Sequence, residues 1–512
     1  MKFCLVTAIV GVLLLGSPAR AAGEYNTNAT LIYLDAVSNQ TLDPQEPQNN
    51  SSFAQGTLMA IYDALVFLNE AGDPQPGLAM SWDYNEDLTV FTMRIRPGVT
   101  FHDGTALDAA AVLKNLERSV SLGNRAGAAT VETMSQIAAM ELIGSDTIRI
   151  RLKSPSGQMP YLLGGQAGMM ISPATLNEST FGVTIKPVGA GPYKVRSFES
   201  NVRTVTTRND AYWGGIEGRP AGFEHHFVPE ARARLNAVRS GQANLALIEP
   251  RQIGEARAAG FAVQINEKNS SWELHANFTR DTVGKLKVRQ AIMHAIDRPA
   301  LADALGGGAS RATVQLFARS SPVYQEDLER LYPFDQARAR ALLAEAGYPN
   351  GVDVSWLLLN TNEYKQMGEA IQAMLGEVGI RVKFDVVDVS QYTAFRRPPQ
   401  RGDLLMVRWG GRPDPLQTFQ ESSGSTAVPW GAAAPEIDQL IDQARALVPG
   451  DPKRLAVMHR LARVTTEHVS HMTLMTRSAV YAYKPGCVSN LPPYLATGND
   501  RINDTKIGAT CK

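Results

Sequence analysis

The stretch Trp409-Gly410-Gly411-Arg412-Pro413-Asp414-Pro415 brings a flat aromatic ring, a guanidinium and a carboxylate within seven residues. Arginine offers a planar fork of N–H donors suited to a carboxylate or phosphate, while aspartate accepts from amines and backbone N–H groups. Such a set suits recognition of a small polar solute. Arg412 has two readings: its guanidinium faces a ligand anion, or it points to solvent or pairs with Asp414. Trp409 either stacks on a ligand or packs at a strand end. Trp272, Asn277 and Trp430 are further ligand-binding candidates, each with a structural reading of equal weight. Asn49 and Asn50, in the run Asn49-Asn50-Ser51-Ser52, form either a cleft rim or a solvated loop before a helix.

Bond-breaking chemistry has no comparable foundation. The sequence contains no G-x-S-x-G, S-x-x-K, H-E-x-x-H, Walker A or C-x-x-C pattern. His102, in Phe101-His102-Asp103-Gly104, reads as part of a turn. His225 and His226 are adjacent, so on a strand they face opposite ways and cannot chelate together. His468 and His471 stand at i, i+3, able to share a helix face, but no Cys or acid lies at ligand spacing. The expectation is therefore no catalytic residue, no metal and no cofactor.

The elements that position these groups alternate between strand and helix. Leu31 to Leu34 reads as a first strand, and Thr57 to Val66 as a helix. Two strands are expected at 77–82 and 89–96, then a helix capped by Asp108 with Val112, Leu113, Leu116 and Val120 as its apolar stripe. Gly189 and Gly191 suggest backbone angles closed to other residues. Tyr193 to Phe198 and Val202 to Thr206 alternate around the polar break Glu199-Ser200-Asn201, which reads as a β-hairpin. Phe223 to Val228 is a strand, and Glu230 to Arg239 a helix stopped at Gly241. From Asp335 the pattern becomes helix, strand 352–359, helix 363–378 and strand 380–386, which implies an α/β lobe. Asp403 to Trp409 is a strand that delivers the Arg412 loop; ligand sites in open α/β sheets lie beyond strand ends. Glu436 to Leu447 is the last clear amphipathic helix.

The chain has 512 residues, 44% of them hydrophobic, enough for two or three lobes with large cores. Met1-Lys2, the apolar run Phe3 to Leu15 and Ala19-Arg20-Ala21 form a secretory signal peptide over residues 1–21. No Cys follows the apolar run, so a periplasmic protein rather than a lipoprotein is expected. Without this segment 48 cations face 50 carboxylates, a balance that does not suggest nucleic acid. Cys487 and Cys511 remain, an even pair in an oxidising compartment, and a disulfide between them would tie down the C-terminal tail.

Several phrases resemble the bacterial extracellular solute-binding proteins of family 5, which serve peptide and nickel ABC importers. Gly189-Ala190-Gly191-Pro192-Tyr193-Lys194 with Tyr212-Trp213-Gly214-Gly215 is one. Pro97-Gly98-Val99-Thr100-Phe101-His102-Asp103-Gly104-Thr105 and Lys287-Val288-Arg289-Gln290-Ala291-Ile292 are others. The resemblance implies an α/β, two-lobed periplasmic-binding-protein (Venus flytrap) fold with an extra subdomain inserted in lobe I. Lobe I then takes 22–48, 175–272 and the tail 478–512, the inserted subdomain 49–174, and lobe II 273–477. It also implies a monomer that captures a peptide-like or carboxylate-bearing solute in an interlobe cleft and delivers it to ABC permease transmembrane subunits. In peptide-binding relatives the loop after Trp409 carries an Asp for the peptide amine; here the loop is one residue shorter and Arg412 stands there. That departure tilts the expected ligand toward an anionic solute. A metal chelate is an alternative, and an extracytoplasmic hydrolase a remote one.

Overall fold

The computed structural model describes residues 24–37, 39–47, 52–69, 72–176, 187–388, 402–412, 414–425, 434–492 and 501–511. The segment 1–21 predicted as a signal peptide, Asn49, Asn50 and Trp430 lie outside them. In chain order, β1 (Thr30–Asp35) is followed by β2 (Ala79–Tyr84), β3 (Val90–Ile95), β4 (Ile137–Ile143) and β5 (Thr147–Leu152). Next come β6 (Tyr193–Glu199), β7 (Arg203–Arg208), β8 (Gly222–Phe227), β9 (Leu245–Ile248) and β10 (Ala262–Ala276). The last of these strands are β11 (Val352–Leu359), β12 (Ile380–Val387), β13 (Leu404–Gly410) and β14 (Met472–Tyr483).

One mixed sheet runs through both lobes in the order β12-β11-β13-β10-β14-β9-β1-β8-β7-β6. Its middle is a crossing pair. β10 and β14 lie antiparallel from Ala262↔Tyr483 to Leu274↔Met472. Their lobe I ends sit beside β9, with Leu245 opposite Tyr483. At the lobe II end, β10 pairs with β13 from Ser270↔Gly410 to Ala276↔Leu404. The β10–β14 register shifts between Glu267 and Ser271 and again between Trp272 and Glu273, which places the irregularity where the lobes meet. β2, β3, β5 and β4 form a separate antiparallel sheet, the subdomain inserted in lobe I.

Each region buries its own apolar set. Leu31, Tyr193, Phe223 and Leu245 fill lobe I. Phe91, Met93, Val112 and Ile150 lie under the small sheet. Lobe II has one core around Trp356, Ile371 and Leu375 and another around Phe317, Phe419 and Leu461. Among the described residues no helix is long and apolar enough to cross a membrane.

The helices used below are α1 (Ser52–Ile61), α2 (Ala109–Leu122), α3 (Ala128–Ser135), α4 (Asn362–Gly376), α5 (Pro415–Ser422), α6 (Pro435–Arg445) and α7 (Pro452–Glu467). α1 ends five residues before the predicted limit. Asp63 beyond it accepts from the Trp213 indole (2.7 Å) and is fully buried, so the chain there serves a tertiary contact instead of another helical turn. The predicted cap at Asp108 is present, its carboxylate accepting from Ala111 N (2.9 Å).

Gly189 and Gly191 act by closeness rather than by unusual angles. A Cβ on Gly189 would fall 2.1 Å from the Ile61 carbonyl oxygen, and one on Gly191 2.6 Å from that of Ala60. The hairpin after them can therefore lie against the end of α1 only with bare backbone. His102 joins the same junction: its Nε2 lies 2.9 Å from the Gly191 carbonyl oxygen, and burial pushes its imidazole down to about 4. The structural reading of that turn follows. His225 and His226 do face apart, His225 toward Thr57 (2.6 Å) and His226 toward Glu224 (2.7 Å). His468 ends α7, whereas His471 lies beyond it beside Ser423 (3.3 Å), so the two share no helix face. Cys487 and Cys511 are joined with their Cα atoms 5.4 Å apart.

Candidate functional site

β13 carries Trp409 to the lobe boundary, and the short loop beyond it turns into α5. Asp414 starts that helix by accepting from Leu416 N (3.0 Å), and Pro415 occupies its first turn, where no N–H is missed. Asp414 is completely buried. Arg454 of α7 donates to both its oxygens (2.9 and 2.7 Å), a forked pair closed to solvent. The aspartate thus answers a cation forty positions away in sequence rather than Arg412.

Arg412 has a different partner. Its Nε and Nη2 each donate to Glu421 at 2.6 Å, and its backbone N–H donates to Thr418 Oγ1 (3.0 Å). The guanidinium carbon lies 5.7 Å from the centre of the Trp409 ring. One edge of the Arg412 guanidinium, Nε and Nη2, is therefore occupied by a carboxylate of α5, a pairing that is in neither sequence reading. Glu421 follows Arg412 by nine residues inside an apolar-polar helix, and no local spacing rule joins them.

The small-sheet subdomain meets this loop directly. Gln158 Nε2 donates to Asp414 Oδ2 (2.9 Å), and Gly157 N donates to the Arg445 carbonyl at the end of α6 (2.9 Å). The approach is so close that a Cβ on Gly157 would lie 2.2 Å from the Leu447 carbonyl oxygen. Across the same seam, Gln417 Nε2 of α5 donates to Glu132 Oε2 of α3 (2.9 Å). Burial and then the charge of Glu421 push the Glu132 carboxyl up to about 7. α3 is positioned from behind by Gly127 N, which donates to the Gln45 carbonyl (2.9 Å), and by the buried Asp43–Arg118 pair (2.6 Å) that fixes the Leu42-Asp43-Pro44 loop on α2.

The other sequence candidates sit elsewhere. Trp272 is buried edge-on against Tyr364 of α4, with ring centres 5.0 Å apart. In the β10–β13 register Trp409 stands opposite Ser271, so Trp272 projects from the other face of the sheet. Asn277 lies past the far end of the same pairing, beyond Ala276↔Leu404. Its Oδ1 accepts from Thr279 N (3.1 Å) and Oγ1 (2.6 Å), which closes a turn. The structure brings Trp409, Arg412 and Asp414 together and leaves Trp272 and Asn277 outside the group. Glu132, Gln158, Glu421 and Arg454, which complete it, carried no sequence signal beyond ordinary helix and loop composition.

Two lobes joined by a crossing strand pair, with a polar seam between them, form the frame of a solute receptor. Residues 73–429 match the family "Bacterial extracellular solute-binding proteins, family 5 Middle". The chain belongs to solute-binding family 5. Among the family's members it is 30% identical over 404 residues to the glutathione-binding protein GsiB of Escherichia coli O1:K1 / APEC, covering 76% of this chain and 74% of that one. NikA from Brucella suis, solved in complex with Fe(III)-EDTA, superposes with a TM-score of 0.82 at 25% identity, over 94% of this chain and all of that one. DppA from Helicobacter pylori, solved with the peptide STSA, gives 0.80 at 20% identity, over 95% and 99%. These family 5 relatives are binding proteins, and their two-lobed fold is the fold seen here.

Proposed function

We propose that this chain is the extracytoplasmic receptor of an ABC importer, and that it encloses a peptide or similar small solute between its lobes for delivery to transmembrane permease subunits. The observation that carries the reading is the seam: Gln158 and Glu132 of the small-sheet subdomain bond Asp414 and Gln417 of lobe II. Only β10 and β14 among the described strands pass continuously from one lobe to the other. A ligand that contacts both sides adds its own bonds to the seam, favours the closed arrangement, and so couples binding to a shape that a permease can read. The relatives named for glutathione and for a bound peptide support a peptide-like ligand. The pairing of Arg412 Nε and Nη2 with Glu421 takes weight from the anionic-solute expectation. On this reading a secretory signal peptide is removed near Ala22 and the mature chain works in the periplasm.

Native mass spectrometry of the mature protein identifies a co-purified solute, and small-angle scattering with and without it measures compaction. A bound small molecule that reduces the radius of gyration is expected. Chemical conversion of the solute, or no compaction with any retained solute, would refute the receptor reading.

A further inference from the structure

The carboxy-terminal tail, residues 501–511, is tied to lobe I in more than one way. Cys511 is joined to Cys487. Val488 and Ser489 pair with Ile507 and Lys506, and Gly508 N donates to the Cys487 carbonyl (3.2 Å). The other end of the chain lies on the same tail: Asn26 N donates to the Ile507 carbonyl (2.8 Å) and Ala509 N to the Glu24 carbonyl (3.1 Å). What this anchorage delivers is Arg501. Asp504 orients it by accepting from its Nε (2.8 Å), and Asp504 is itself paired with Arg219 (2.6 Å). The Arg501 guanidinium carbon stands 4.2 Å from the centre of the Phe67 ring, and its Nη2 donates to Tyr212 OH (3.3 Å).

From Phe67 the contacts run on into the small-sheet subdomain. Phe67 stacks on Trp213 with ring centres 6.1 Å apart, and the Arg96 guanidinium carbon lies 4.5 Å from the centre of the Trp213 ring. Phe67 precedes β2 and Arg96 follows β3, whereas Trp213 comes from lobe I and packs against the core under the small sheet. The Trp213 indole is held by Asp63. Burial pushes the Asp63 carboxyl up to about 6, and the Arg501 charge is the largest influence opposing that push. Removing Arg501 therefore takes a cation from the Phe67 face and from a buried carboxylate at once.

We propose that the Cys487–Cys511 bond is a redox lock on the placement of the small-sheet subdomain. Oxidised, it keeps Arg501 seated at the junction. Reduction by a dithiol frees the tail, withdraws Arg501 and loosens the subdomain from lobe I. One thiolate of the dithiol attacks the sulfur of Cys511, the more exposed of the two residues, and Cys487 leaves as a thiolate that takes up a proton. The second thiol of the reductant then displaces Cys511 and closes the reductant's own disulfide, so two electrons and two protons pass to the protein. Gln158 and Glu132 ride on that subdomain, so the lock governs whether the seam with lobe II forms. The lock needs no ligand and goes beyond the receptor reading; either can fail without the other.

Hydrogen–deuterium exchange of the mature protein with and without dithiothreitol tests it, with free thiols counted by alkylation and mass spectrometry. Closing a loop of 24 residues favours the docked tail about a hundredfold on the chain-entropy model, so reduction should speed tail amides 505–509 by about that factor. Two amides have bonds that report on the junction, His102 to the Gly189 carbonyl (2.8 Å) and Met170 to the Asp63 carbonyl (3.3 Å). They should exchange about tenfold faster, the scale of a cation–aromatic contact, while β11 and β12 keep their rates. Cys487→Ser with Cys511→Ser should exchange fast from the start and ignore dithiothreitol. Arg501→Ala should loosen the junction about tenfold in the oxidised protein while the tail amides stay slow. A bond that dithiothreitol leaves intact in the folded protein, a freed tail with an unchanged junction, or an unchanged junction in Arg501→Ala would overturn the lock. Equal acceleration in β11 and β12 would overturn it too, by showing general unfolding.

Discussion

Replacing Gly157 by alanine is the sharpest perturbation of the seam. The new methyl group would sit 2.2 Å from the Leu447 carbonyl oxygen, roughly 1 Å inside normal contact, and backbone lies on both sides. The subdomain must then back away. Doing so stretches the Gly157 N–Arg445 O bond and the adjacent Gln158–Asp414 bond. A neutral hydrogen bond contributes about 1 kcal/mol and one to a carboxylate about 2 kcal/mol, so their joint loss shifts the seam equilibrium on the order of a hundredfold. Hydrogen–deuterium exchange reads this without any ligand. Amides around 157–163 and 415–423 should exchange roughly a hundredfold faster in Gly157→Ala, while amides of β11 and β12 keep their rates. Unchanged exchange at the seam would refute the steric reasoning; faster exchange everywhere would show a folding defect instead.

Other expectations follow from the same geometry. Asp414→Ala strands the buried Arg454 and should cost about 3–5 kcal/mol in denaturant unfolding, whereas Glu421→Gln, at a partly exposed pair, should cost about 1 kcal/mol or less. Equal losses would contradict the assigned burial. His102 and His471 are both pushed down to about 4 by burial, from an ordinary value near 6.5. Their neutral folded forms contribute stability that is complete above about pH 6.5 and drains as pH falls toward 4; His102→Gln should flatten part of that slope in acid-melting curves. Cys487→Ser with Cys511→Ser opens a loop of 24 residues and should lower stability by about 3 kcal/mol, with earlier proteolysis of the C-terminal tail.

The parts legible in sequence were those whose signal is local. The run from Asp335 to Val387 alternates helix and strand with clean caps, and β11 begins and ends at the predicted residues. The hairpin at 193–208 was equally clear. β10 was not, because its middle, Asn266-Glu267-Lys268-Asn269-Ser270-Ser271, is polar where a buried strand would be apolar. That polarity belongs to the irregular crossing between lobes, so the feature that links the lobes also hides the strand. Gly189 and Gly191 were singled out correctly, but sequence cannot separate a residue that needs a rare angle from one that needs empty space. The seam was the least readable: Arg454 lies 40 residues from Asp414, and Gln158 lies 256 residues from it. Helical periodicity reports which face is apolar, and it carries no information about which distant acid an arginine will meet.

The shared sheet also bears on how this molecule comes apart. Every backbone N–H and carbonyl of a buried strand needs a partner, and β10 gives its partners to β14 along its length and to β13 at one end. Melting either half would strip those bonds from the half left standing. The halves should therefore denature as one calorimetric event, and neither would survive expression by itself as a fragment, however separate the two look in outline.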